Sequence, residues 1–114
     1  SEDILTLADK SFHAGKMDEA LAMAKKIPSD VPAHSIVKQR IERWQKVWSK
    51  AEEIYRASEE ELRNSNWVQA FRVAARLQTV GNVYWQTTKF DEISNIIQAS
   101  REDSDKLAQA RNLT

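Results

Sequence analysis

The sequence predicts an all-α fold: a stack of helical hairpins, as a short α-solenoid or elongated bundle, with two long helices. Three observations predict it. Glycine and proline, which interrupt helices, occur only twice each in 114 residues. Apolar residues return every three or four positions along nearly the whole chain, the period of one helix face. The pattern also falls on itself when shifted by 50 residues.

The elements follow in order. Glu2 and Asp3 suit a helix N-terminus. Ile4, Leu5, Ala8 and Phe12 then keep helical spacing up to Gly15, which ends the first helix. A second helix presents Met17, Ala20, Leu21, Ala24 and Ile27 and stops at Pro28. Ser29 or Asp30 can cap the next helix, with Pro32 in its first turn. From Pro32 to about Asn64 no breaker occurs. Val37, Ile41, Trp44, Trp48, Ala51, Tyr55, Ser58 and Leu62 step alternately by four and three, a heptad seam. One helix of about 32 residues, roughly 48 Å, accounts for it. Ser65-Asn66 breaks it. A short helix with Trp67, Ala70, Phe71, Ala74 and Leu77 runs to Gly81-Asn82. The last helix starts near Val83 and carries Tyr84, Trp85, Phe90, Ile93 and Ile97, with a polar second half. The predicted core combines Leu5, Ala8, Phe12, Ala20, Leu21 and Ala24 with Ile41, Trp44, Trp48, Tyr55 and Leu62. Trp67, Ala70, Phe71, Ala74, Ile93 and Ile97 complete it.

The shift by 50 places Ala8 on Ser58, Phe12 on Leu62, Ala20 on Ala70, Leu21 on Phe71 and Ala24 on Ala74. The turn Ala14-Gly15-Lys16 falls on Asn64-Ser65-Asn66, and Pro32-Ala33-His34 on Asn82-Val83-Tyr84. Residues 1–114 read as a single helical domain, with a first repeat over about 2–50 and a second over about 52–100. A lone hairpin cannot bury its apolar stripe, but stacked hairpins share a core. The start at Ser1 and the helix-like last segment point to a piece of a longer chain.

Gly15-Lys16-Met17-Asp18-Glu19-Ala20-Leu21 resembles the centre of a tetratricopeptide repeat. In that family a glycine turn leads into a helix with an alanine five residues on. Ala8 and Phe12 stand where its first helix has a small and an aromatic residue. The chain departs from the family in a period near 50 rather than about 34 and in Pro28, which ends the second helix early. The order Ala20, Ala24, Ile27-Pro28 and Trp44 also resembles tandem helical repeats of bacterial, notably cyanobacterial, multidomain proteins. The second copy has Leu77-Gln78 in place of Ile-Pro. The resemblance implies a scaffold or partner-binding role and supplies no catalytic residue.

Composition narrows the function. Seventeen Lys and Arg balance seventeen Asp and Glu, so no global charge favours nucleic acid or anionic lipid. Without cysteine there are no disulfides, thiolate zinc sites or cysteine nucleophiles. That does not fix the compartment, although a cytoplasmic one is favoured. No apolar run reaches the length of a membrane span, so no membrane insertion is expected. His13 and His34 have no ligand partner at helical spacing. No phosphate loop, calcium loop or nucleophile elbow is present. No catalytic site, cofactor or metal is expected.

One feature points to binding. Lys38, Arg40, Arg43, Lys46 and Lys50 make the first half of the long helix basic, with Glu42 the sole acid between Pro32 and Ala51. The second half carries Glu52, Glu53, Glu59, Glu60 and Glu61. This order opposes the helix dipole, so local helix stability does not account for it. Three readings stay open. The charges can form a solvated face, with Arg72 and Arg76 reaching Glu59 to Glu61. They can match an antiparallel helix of another protein or of a second copy. The basic half can bind nucleic acid, with Trp44 and Trp48 stacking on bases. The favoured reading is a non-catalytic protein-interaction or scaffolding module, with those five basic residues as the partner surface. Homo-oligomerisation along the heptad seam is a further expectation, and nucleic acid is the alternative partner.

Overall fold

The computed structural model describes the backbone of residues 2–112 and the side chains of residues 4–111. Ser1 lies outside these residues, as do the side chains of the first-turn acids Glu2 and Asp3. The elements are α1 (Glu2–His13), α2 (Met17–Lys25), α3 (His34–Arg63), α4 (Trp67–Ala75) and α5 (Phe90–Asn112). A 3-10 turn, Arg76–Thr79, follows α4, and a π-helical turn, Trp85–Lys89, leads into α5. No strand occurs among the described residues. The molecule is a rod of 74 × 17 × 17 Å.

The long helix forms almost as the breaker-free stretch predicts. It runs for 30 residues, about 45 Å. Its start differs from expectation: Ala33 is the N-cap, and no side chain, neither Ser29 nor Asp30, caps it. The heptad seam turns inward. Val37, Trp44, Ala51 and Ser58 are buried, and Ile41, Trp48, Tyr55 and Leu62 are half-buried against the same clusters. The seam is thus largely covered by the chain's own helices.

Two turns reverse the chain in the same way. After α1, Gly15 has φ +86°, its N–H donates to the Phe12 carbonyl at 3.2 Å, and the Lys16 N–H donates to the Ser11 carbonyl at 2.8 Å. After α3, Ser65 has φ +60°, its N–H donates to the Leu62 carbonyl at 3.0 Å, and the Asn66 N–H donates to the Glu61 carbonyl at 2.9 Å. Both are Schellman endings, which satisfy the last helical carbonyls with one residue in the left-handed region.

Small residues set the spacing between helices. Ala8, Ala20, Ala24, Ala51, Ala70 and Ala74 are fully buried, which allows close approach of the backbones. At Ser58, where α1 has Ala8, the buried hydroxyl donates to the Ala70 carbonyl at 2.7 Å and ties α3 to α4. Two apolar clusters result. One joins α1, α2 and the first half of α3 around Phe12 and Trp44, whose rings stack at 5.3 Å. The other joins the second half of α3, α4 and α5 around Ile54, Leu77, Ile93 and Ile97. Trp48 packs on both and holds the rod together.

Two core expectations need correction. Phe71 is 47% exposed. The inward face of α4 is Ala70 and Ala74, continued by Leu77 in the 3-10 turn. Phe71 lies about 100° round from Ala70 and meets the Phe90 ring edge-on at 6.1 Å. Trp85, not expected in the core, is buried there. It stands eight residues before Ile93, which on a regular α-helix places it about 80° off the inward face. The wider π turn at Trp85–Lys89 takes up the difference. The end of α4 also differs: the helix stops at Ala75, ahead of Gly81-Asn82.

Candidate functional site

The five basic residues of the first half of α3 do not act as one patch. Arg43, Lys46 and Lys50 fall within an arc of about 60° on the solvent face. Lys38 is exposed on a neighbouring arc. Arg40 turns toward α1, where its Nη1 lies 3.6 Å from Asp9 Oδ1. The same carboxylate accepts the Trp44 indole N–H at 3.2 Å, so Asp9 holds both side chains. Lys50 leans 3.8 Å from Glu53. Lys38, Arg43 and Lys46 have no ion pair among the described residues.

The acidic half is partly self-neutralised. Arg56 pairs with Glu52 at 3.6 Å, and Arg63 pairs with Glu60. Glu61 accepts from the Asn66 side-chain amide at 3.0 Å. The expected pairing of Arg72 or Arg76 with the Glu59 to Glu61 cluster is not formed. What remains along α3 is one solvent face running its whole length, basic at Arg43 and Lys46, acidic from Glu53 onward. No acid stands in the first turn of α3, so that end has a positive dipole terminus as well as basic side chains.

Neither indole expected to stack on bases is open. Trp44 is 2% exposed against Phe12. Trp48 stacks on Tyr84 at 6.2 Å and meets the Trp85 ring edge-on at 5.3 Å. One further aromatic cluster holds its own cation. The Lys89 ammonium sits 4.6 Å from the Tyr55 ring centre and 5.5 Å from that of Trp85, and pairs with Glu92 at 2.7 Å. Burial raises the Tyr55 hydroxyl above its ordinary pKa, outweighing the opposite pull of Lys89. Burial works against the Lys89 charge, but the Glu92 hydrogen bond and the nearby tyrosines outweigh it and raise Lys89 above its ordinary value.

A second surface was not legible in the sequence. Trp67, Val68 and Phe71 of α4 face Ser94, Ile97 and Arg101 of α5 across an open groove. The Ser94 hydroxyl oxygen is buried there without a hydrogen-bond partner. Arg72 and Arg101 flank the groove with no ion pair among the described residues. The only sequence signal was the apolar Val68 beside the predicted inward face of its helix.

His13 Nδ1 accepts the Val83 backbone N–H at 3.2 Å, joining the first turn to the start of the last helical segment. Among the described residues no group of three or more His, Asp or Glu gathers as a metal site. No helix of these residues is long and apolar enough to cross a membrane. No protein-family model, curated protein or solved structure matches the chain.

Proposed function

We propose that this chain is a non-catalytic protein-interaction or scaffolding module, a tetratricopeptide-like stack of two helical hairpins that presents the open face of α3 to a partner helix. The observation that carries the reading is that face: one uninterrupted solvent-exposed strip, basic at Arg43 and Lys46, acidic toward Glu53 and Glu60. An antiparallel partner helix with the same charge order would set unlike charges opposite each other along its length. The two Schellman turns 50 residues apart, at Gly15 and Ser65, support the hairpin-repeat description. The nucleic-acid alternative loses half of its chemistry, since Trp44 and Trp48 are committed to packing inside the rod.

Affinity capture from native lysate, with and without nuclease, tests the reading when run beside the double variant Arg43→Glu/Lys46→Glu. The expected result is a protein held by the wild type after nuclease treatment and lost from the variant. Equal retention by the variant refutes the surface. Loss of all bound material with nuclease refutes the protein partner and favours nucleic acid.

A further inference from the structure

A third surface lies where the two halves of the rod meet. The end of α1, the first half of α3 and the loop before the π turn enclose a cavity of about 410 Å3. Asp9 and His13 of α1, Arg40 and Arg43 of α3 and Gly81 of the loop line it, over apolar side chains of the first core cluster.

Its polar groups are nearly all donors. His13 Nδ1 accepts the Val83 N–H, so the neutral ring carries its proton on Nε2, and no acceptor among the described residues takes that proton. The exposed Gly81 N–H also has no acceptor among these residues. Each guanidinium adds five N–H groups. Asp9 is the one acidic side chain in the wall, and its Oδ1 is already shared by Trp44 Nε1 at 3.2 Å and Arg40 Nη1 at 3.6 Å. Two guanidinium charges against one carboxylate leave the cavity with one positive charge in excess.

Helix α3 does not balance that charge. The residues three and four positions from Arg43 are Gln39, Arg40, Lys46 and Val47. None is acidic, and two are like charges, which weaken a helix at neighbouring positions. The rod offsets this only at Arg40, whose side chain is 34% exposed and is held at the wall by Asp9.

We propose that this cavity binds a carboxylate, whose oxygens accept from Arg40, Arg43, His13 Nε2–H and the Gly81 N–H. A monoanion matches the single excess charge, and a planar carboxylate matches the fork of a guanidinium. A phosphate dianion would leave a negative charge beside Asp9. The carboxylate can belong to a free small acid or to an acidic side chain of a partner. The site adjoins the α3 face proposed for a partner helix but does not require one, so a small ion tests it alone.

Potassium acetate is the first probe, titrated into the isotope-labelled chain against potassium chloride at equal ionic strength. The Gly81 amide and Arg43 Nε–H signals should shift with acetate and saturate, with Kd on the order of 10 mM. They should not saturate with chloride. Arg43→Gln should weaken acetate binding at least about tenfold. Lys38→Gln, outside the cavity, should leave it unchanged. Both side chains are exposed, and circular dichroism checks that each variant keeps the fold. A capped peptide with one glutamate, run against its glutamine counterpart, assigns the source. Tighter binding than acetate identifies a protein side chain; binding no tighter than acetate identifies a free acid. An equal response to acetate and chloride overturns the proposal, as does an Arg43→Gln variant that binds acetate like the wild type. Saturation by inorganic phosphate at lower concentration than acetate overturns it too, since the cavity would then select a different anion.

Discussion

Replacing Asn82 with alanine tests whether the two halves of the rod are joined as described. The side chain is fully buried. Its amide donates to the Phe12 carbonyl, 70 residues away, at 2.7 Å, and its Oδ1 accepts the Trp85 N–H at 3.0 Å, three residues on, the geometry of a helix N-cap. Each bond contributes about 0.5–1.5 kcal/mol net. The losses are unequal. The Phe12 carbonyl keeps the Gly15 N–H as a donor, at 3.2 Å. The Trp85 N–H loses its buried acceptor, a penalty of about 1–3 kcal/mol. Asn82→Ala should therefore cost about 2–4 kcal/mol, read as a shift of urea midpoint at unchanged slope. Asn82→Asp should cost at least as much at neutral pH, since it sets a carboxylate against the Phe12 carbonyl. It should recover in acid, where the protonated carboxyl donates again. Its folded pKa is raised above the unfolded one, so the loss appears as pH rises. A cost below about 0.5 kcal/mol for alanine would refute the joint, given the size of a single hydrogen bond.

Gly15→Ala should destabilise by about 1–3 kcal/mol, because the added Cβ would lie 2.5 Å from the Tyr84 ring and the residue has φ +86°. Ser65→Gly, at the matching turn with φ +60°, should instead raise stability by about 0.5–1 kcal/mol in the same urea melts. Trp44→Ala should cost about 3–5 kcal/mol and Phe71→Ala clearly less, since the first is buried and the second half-open; equal losses would contradict the α4 orientation. Stability should fall as pH rises above about 10, the ordinary range of both groups, because the folded state holds the Tyr55 and Lys89 protons more tightly than the unfolded chain. Tyrosinate absorbance should show Tyr55 titrating late, and later still in a Lys89→Met variant, which removes the ammonium that pulls it down.

Much of this architecture was legible in the residues, because helix and turn signals are local. Scarce breakers gave the long helix, and the 4-3 spacing from Val37 to Leu62 gave its inward face. Gly15 marked a left-handed turn because glycine takes that conformation freely. Ser65 marked the other only through its place 50 residues on. The basic run on α3 was visible as composition, but not that Arg40 turns away to Asp9 while Arg43 and Lys46 stay open.

The sequence by itself determined the helices, their order and the seam of α3, since these depend on neighbours three and four residues apart. Tertiary structure alone decided the rest. Trp85 reaches the core through a π turn that no regular period predicts, and Phe71 is left open because alanines let α4 approach α3 along a different face. Asn82 is buried because it meets a carbonyl 70 residues earlier. The α4–α5 groove exists because two helices, each amphipathic alone, leave a seam between them that neither one's spacing encodes.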